Sequence, residues 1–188
     1  KMVKSNISSF SRLHAAMMRY FMEELYVIYY AFKADYNSRF EHVLKMQEPV
    51  AVLVELDVVA SSRKIMTAYD YLLQMYVTQR KTQEALDLAY KLDAMYSSAV
   101  GDYVNTSLVS DVATAYIMAG KYDLALKYLE DVREYREQYI KDKPNDMEMK
   151  ANLANTYNNL ALCYSYVGNP HKAFKMQQKT VEYMTPFY

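Results

Sequence analysis

Residues 157–173 read YNNLALCYSYVGNPHKA, and their spacing decides the fold. The marked positions are Tyr157-x2-Leu160-Ala161-x2-Tyr164-x3-Gly168-x4-Ala173. Residues 109–125, VSDVATAYIMAGKYDLA, repeat that spacing as Val109-x2-Val112-Ala113-x2-Tyr116-x3-Gly120-x4-Ala125. Residues 69–85, YDYLLQMYVTQRKTQEA, repeat it again as Tyr69-x2-Leu72-Leu73-x2-Tyr76-x3-Arg80-x4-Ala85, with Leu73 for the small residue and Arg80 for the glycine. Matches in register at three places specify a repeated structural unit, and such self-similarity marks a stacked array.

The spacing has a mechanical meaning. In the first half of each unit the large residues fall at i, i+3 and i+7, which is one face of a helix. Glycine at the break can adopt the left-handed conformation that ends a helix, and the Asn or Lys beside it starts the turn. A small residue five positions on, Ala125 or Ala173, lets a second helix lie close against the first. Ala113 or Ala161 does the same from the other side, where bulk would force the axes apart.

Composition agrees. The chain has 188 residues with only 3 Gly and 4 Pro, too few for the turns of a sandwich or barrel but enough for a handful of long helices. Hydrophobic residues make up 52% but are interrupted by 23% charged ones, so no stretch reaches the uncharged apolar length of a membrane-spanning helix, and no membrane contact is expected of this segment. Lys plus Arg and Asp plus Glu balance at 22 each without a basic run, which disfavours nucleic acid or an anionic membrane as partner. The one cysteine, Cys163, cannot form an internal disulfide and reads as a small apolar residue in a helix. It leaves the compartment open, cytoplasmic or periplasmic. The sequons at Asn6 and Asn105 are short enough to arise by chance.

These residues resemble the tetratricopeptide repeat family, whose pattern sets an aromatic, then Leu and a small residue, then Tyr, a turn, and Ala on a second helix. The resemblance covers residues 66–184 and implies an all-α, right-handed solenoid of antiparallel helix pairs. On this reading residues 1–188 form a single helical-repeat domain. It has a degenerate repeat at about 8–47, begun by Tyr26-Val27-x2-Tyr30-x3-Ala34 with Arg39 at the alanine position, and repeats at about 66–98, 106–142 and 154–184. The aligned alanines lie 40 residues apart between Ala85 and Ala125 and 48 apart between Ala125 and Ala173, against about 34 in the family. The extra residues fall between units, as at Lys141 to Asp146. HEAT-type repeats, with periods of about 40–47, are the second architecture.

Helices are expected near residues 8–34, 37–47, 49–79, 82–98, 105–119, 121–142, 146–167 and 170–184. Residues 49–60, PVAVLVELDVVA, have strand-like valine content, but a lone strand has no partner among helices, and Pro49 suits a helix start. The Lys143-Pro144-Asn145-Asp146 stretch is a stop followed by a start, and Glu137 with Lys141 is a favourable i, i+4 pair.

Signals for chemistry are weak. His14, His42 and His171 lie far apart without a second ligand at helical metal spacing, so they read as surface or turn residues, and no metal or cofactor is expected. The sequence contains no nucleophile elbow, phosphate loop or His-Glu-x-x-His stretch. Glu23-Glu24 and Glu130-Asp131 read as solvated helix faces. Tyr69, Tyr76, Tyr116, Tyr157 and Tyr164 read as packing residues with hydroxyls at a polar rim, and Tyr128, Tyr135 and Tyr139 as contacts to the following repeat. An enzyme is not expected.

The family resemblance implies a concave groove lined by the first helices. Facing it would be Thr67, Asp70, Gln74 and Thr78, then Ser107, Ser110, Thr114 and Met118, then Asn155, Asn158, Leu162 and Tyr166. This surface is polar and almost uncharged. It lacks the basic residues with which family members clamp carboxylate tails, while Asn, Gln and Ser suit the backbone of an extended peptide. The leading reading is a protein- or peptide-binding module forming the interaction or sensory part of a larger regulatory or signal-transduction protein. That expectation of a larger protein rests on the start at Lys1-Met2 and on a last helix bearing Phe174, Val181, Tyr183 and Met184 without a polar cap. A second reading is an oligomerisation scaffold, a homodimer formed through residues 171–188. A third is a helical accessory domain of an enzyme.

Overall fold

The computed structural model describes residues 2–56, 62–98 and 106–185, with side chains for 11–56, 64–93 and 106–185. Among these residues all regular structure is helical: α1 (Met2–Phe32), α2 (Tyr36–Lys45), α3 (Gln47–Glu55), α4 (Ser62–Thr78), α5 (Thr82–Ser98), α6 (Thr106–Met118), α7 (Tyr122–Asp142), α8 (Met147–Tyr166) and α9 (Pro170–Met184). The chain divides into two compact units, Lys1–Met75 and Tyr76–Tyr188.

In the first unit α1 packs on α2 and α3. It buries Ala16, Tyr20 and Val27, spaced for one helix face, while Val43, Met46, Val50 and Leu53 are buried on the neighbouring segment. Asp35 starts α2 by accepting from the Ser38 amide at 3.1 Å and the Ser38 hydroxyl at 2.7 Å, satisfying one of the donors that a helix N-terminus leaves open. Only Met46, itself in helical conformation, separates α2 from α3. Pro49 explains the joint, because without an N–H it cannot continue the ladder to Lys45. The sequence leaves open whether the helix over 49–79 runs unbroken, and it does not: α3 ends at Glu55 with Leu56 as its cap, and α4 begins at Ser62. Residues 57–61, the end of the valine-rich stretch, lie outside the described residues.

In the second unit consecutive helices pack as α5 on α6, α6 on α7, α7 on α8 and α8 on α9, and α6 also touches α8. That is the all-α solenoid of antiparallel pairs. Ala85, Ala113 and Ala125 are fully buried, and Ala161 nearly so, as close helix approach requires. Ala173 is only half-buried.

The turns repeat most faithfully. Ala34, Arg80, Gly120 and Gly168 have φ of 55°, 56°, 69° and 78°. At each turn the following amide bonds back to a tyrosine carbonyl: Asp35 to Tyr30 at 3.0 Å, Lys81 to Tyr76 at 2.9 Å, Lys121 to Tyr116 at 2.8 Å and Asn169 to Tyr164 at 2.8 Å. The left-handed residue's own amide bonds three residues back, closing the same C-cap motif every time. The degenerate N-terminal pattern thus ends its helix as the clear repeats do, with Ala34 in the glycine position.

Candidate partner-binding surface

Of the residues expected to line a groove, Asp70 and Gln74 lie half-buried on α4 in the first unit. The other six lie in the second unit, as Ser110, Thr114 and Met118 on α6 and Asn158, Leu162 and Tyr166 on α8. Each trio is spaced i, i+4, i+8 and so shares one helix face, and the two helices touch. The α6 trio is half-buried and the α8 trio exposed.

The hydroxyls on α6 are partly committed. Ser110 Oγ donates to the Thr106 carbonyl at 2.6 Å and Thr114 Oγ1 to the Ser110 carbonyl at 2.9 Å. With their protons turned into their own helix, these groups offer lone pairs outward and act as acceptors. On α8, Asn158 and Leu162 line a groove of about 380 Å³ with Ala161, Ser165, Ala173, Phe174 and Gln177. Its lining mixes apolar side chains with two carboxamides, each able to donate and accept. Phe174 and Gln177, on α9, were missed by a reading that looked only at first helices. Tyr166 is drawn to the α6–α7 turn, where its ring stacks on Tyr122 with centroids 4.3 Å apart and planes 2° apart. With Gly120, Lys121, Asp123, Leu124 and Val167 these two tyrosines line a second hollow of about 430 Å³.

Glu130, expected to be solvated, and Glu137, expected to pair with Lys141, turn out to tie helices together. Arg133 on α7 bonds Glu130 at 2.7 Å and Glu137 at 2.9 Å, and from α8 Tyr164 donates to Glu130 and Tyr157 to Glu137, each at 2.5 Å. Burial works to raise the Glu137 carboxyl, but the bonds from Tyr157 and Arg133 and the charges of Arg133 and Lys141 outweigh it and hold the group below the usual carboxylate range. Burial first, then Glu130, pushes Tyr164 up to about 12. Nearby, buried Arg136 donates from α7 to the Asn152 carbonyl at 3.0 Å, to Thr156 Oγ1 at 2.7 Å and to the Thr106 carbonyl at 3.3 Å, joining α6, α7 and α8.

Other expectations are corrected in the same way. Tyr128 does not reach the following repeat: it stacks on Tyr116 at 5.8 Å and donates to Asp93, both earlier in the chain. His42 is no surface histidine, since it pairs with Glu23 at 2.6 Å and stacks on Tyr26 at 4.5 Å and Tyr30 at 5.3 Å. Glu24 accepts from Tyr20 at 3.2 Å. Among the described residues no group of three His, Cys, Asp or Glu could hold a metal ion, and no helix is long and apolar enough to cross a membrane.

Residues 103–185 match the family model described as tetratricopeptide repeat. That stretch consists of tetratricopeptide-like repeats. The same fold appears in the crystal structure of Podosopora anserina putative kinesin light chain nearly identical TPR-like repeats, with a TM-score of 0.52 and 15% identity over 94% of this chain and 97% of that one. MamA MSR-1 gives a TM-score of 0.50 and 15% identity over 91% and 99%. At such identities the likeness concerns the tetratricopeptide-like fold. No curated protein matches the sequence.

Proposed function

We propose that this repeat domain is a protein- or peptide-binding module whose working surface in the second unit is formed by Ser110, Thr114 and Met118 of α6 and by Asn158, Leu162 and Tyr166 of α8, with Asp70 and Gln74 of α4 as contacts offered separately by the first unit. The observation that carries the reading is the α8–α9 groove, whose lining combines the apolar side chains of Leu162 and Phe174 with the carboxamides of Asn158 and Gln177. A main-chain amide needs a donor and an acceptor together, which a carboxamide supplies, and an apolar side chain of the peptide would fill the groove. The outward lone pairs on Ser110 and Thr114 favour ligand N–H groups over carboxylates. The regular turns at Ala34, Arg80, Gly120 and Gly168 support counting residues 1–188 as a single repeat domain. Binding rather than catalysis is the role we assign, within a larger regulatory or signal-transduction protein.

The test is a pull-down from the native cell extract, with the parent chain beside a Gln74→Ala, Thr114→Ala, Asn158→Ala variant whose helicity is checked by circular dichroism. A partner retained by the parent and lost by the folded variant supports the face. Retention by both moves the binding surface elsewhere.

A further inference from the structure

The face of α1 opposite its buried residues is apolar and exposed. Met18, Met22, Leu25, Tyr29 and Phe32 are 54%, 54%, 67%, 51% and 88% exposed. Their spacing alternates four and three residues, and exposed Ala15 extends it upstream. That is a heptad seam, the pattern by which one helix specifies another as its partner. Phe21 and Ile28, 43% and 53% exposed, widen it along one edge. An isolated exposed leucine needs no explanation, but a continuous stripe on one face does.

We propose that this seam pairs antiparallel with the seam of a second copy of the chain. The order of side-chain sizes argues for that occupant. In the antiparallel register Ala15 meets Phe32 of the copy, Met18 meets Tyr29 and Met22 meets Leu25, so the sequence is complementary to itself about a twofold axis between residues 23 and 24. A parallel pair would set Phe32 on Phe32 and Ala15 on Ala15, overfilling one end and leaving the other hollow. Area argues the same way. Large side chains carry about 200 Å² each, so the seven exposed ones offer roughly 800 Å² per copy and about 1,600 Å² for the pair, the size of a stable specific interface. Nearby arginines do not oppose contact, since Arg12 is bonded to Glu55 at 2.8 Å and Arg19 to Glu48 at 2.6 Å, both on α3. The interface is isologous, so each substitution acts twice.

Sedimentation equilibrium of the 188-residue chain over a range of concentrations should show monomer and dimer. Leu25→Lys should weaken the dimer at least about a hundredfold, because both copies lose an apolar layer, with circular dichroism unchanged because Leu25 is exposed. Met18→Lys is the second variant should Leu25→Lys lose helicity. Phe174→Lys, on the exposed face of α9, should leave the dimer intact. In a Cys163→Ala background, oxidation of mixed Met18→Cys and Tyr29→Cys chains should crosslink unlike chains. A monomer at every concentration overturns the proposal, as does a dimer that survives both α1 variants or is lost with Phe174→Lys. Crosslinking of like chains alone overturns the antiparallel register.

Discussion

A left-handed backbone costs a residue with a Cβ roughly 1–2 kcal/mol relative to glycine. Ala34 and Arg80 bear that cost where Gly120 and Gly168 do not. Arg80→Gly should therefore stabilise the protein by about 0.5–1 kcal/mol, and Gly120→Ala should destabilise it by about 1 kcal/mol, both read from urea midpoints at constant slope. A Cβ at Gly120 would meet nothing within 4 Å, so the second value isolates backbone strain from steric clash. Glu137 sets a pH dependence. Its carboxyl titrates below its ordinary value in the folded chain, so its contribution is complete above about pH 4.3, the ordinary glutamate value, and is lost as pH falls through the folded one. Glu137→Gln should flatten that acid limb of the stability curve, and an unchanged slope between pH 5 and about 3 would remove Glu137 from the account.

Between helices, the α6–α7–α8 contact depends on Arg136, a buried cation held by two carbonyls and a hydroxyl. Removing it abandons three charge-assisted bonds and leaves a cavity, so Arg136→Ala should destabilise by about 3 kcal/mol in chemical denaturation. A loss below about 1 kcal/mol would show the bonds to be replaceable by water. Elements of this kind were only partly legible in the sequence. Apolar periodicity and the glycines located α6 to α9 to within one or two residues, because each boundary is written in local chemistry. The break after Leu56 was not, since residues 49–60 are nearly continuous in apolar character, interrupted only by Glu55 and Asp57, and carry no glycine or proline after Pro49 to mark a stop. The Arg133 and Arg136 ties were hidden too, because a charge on a helix reads as solvated until the neighbouring helix is in place.

Across the chain, repetition made the fold readable from spacing alone, whereas the candidate groove was half readable. Its α8 side follows from the repeat register. The α9 side, Phe174 and Gln177, depends on how one helix lies against the next, which spacing does not encode. His42 illustrates the same gap, since it lies on α2 while the rings that stack on it, Tyr26 and Tyr30, belong to α1. Cys163, the one thiol in the sequence and fully buried on α8, carries a different consequence. Burial pushes it up to about 11, so near neutral pH it is both protonated and shielded from a maleimide in solution. Alkylation must wait for α8 to come away from its neighbours. The labelling rate of the unaltered protein therefore serves as a clock for that opening event. It should accelerate with Gly168→Ala, at the turn that ends α8, and a rate equal to that of free cysteine would show that α8 is never closed.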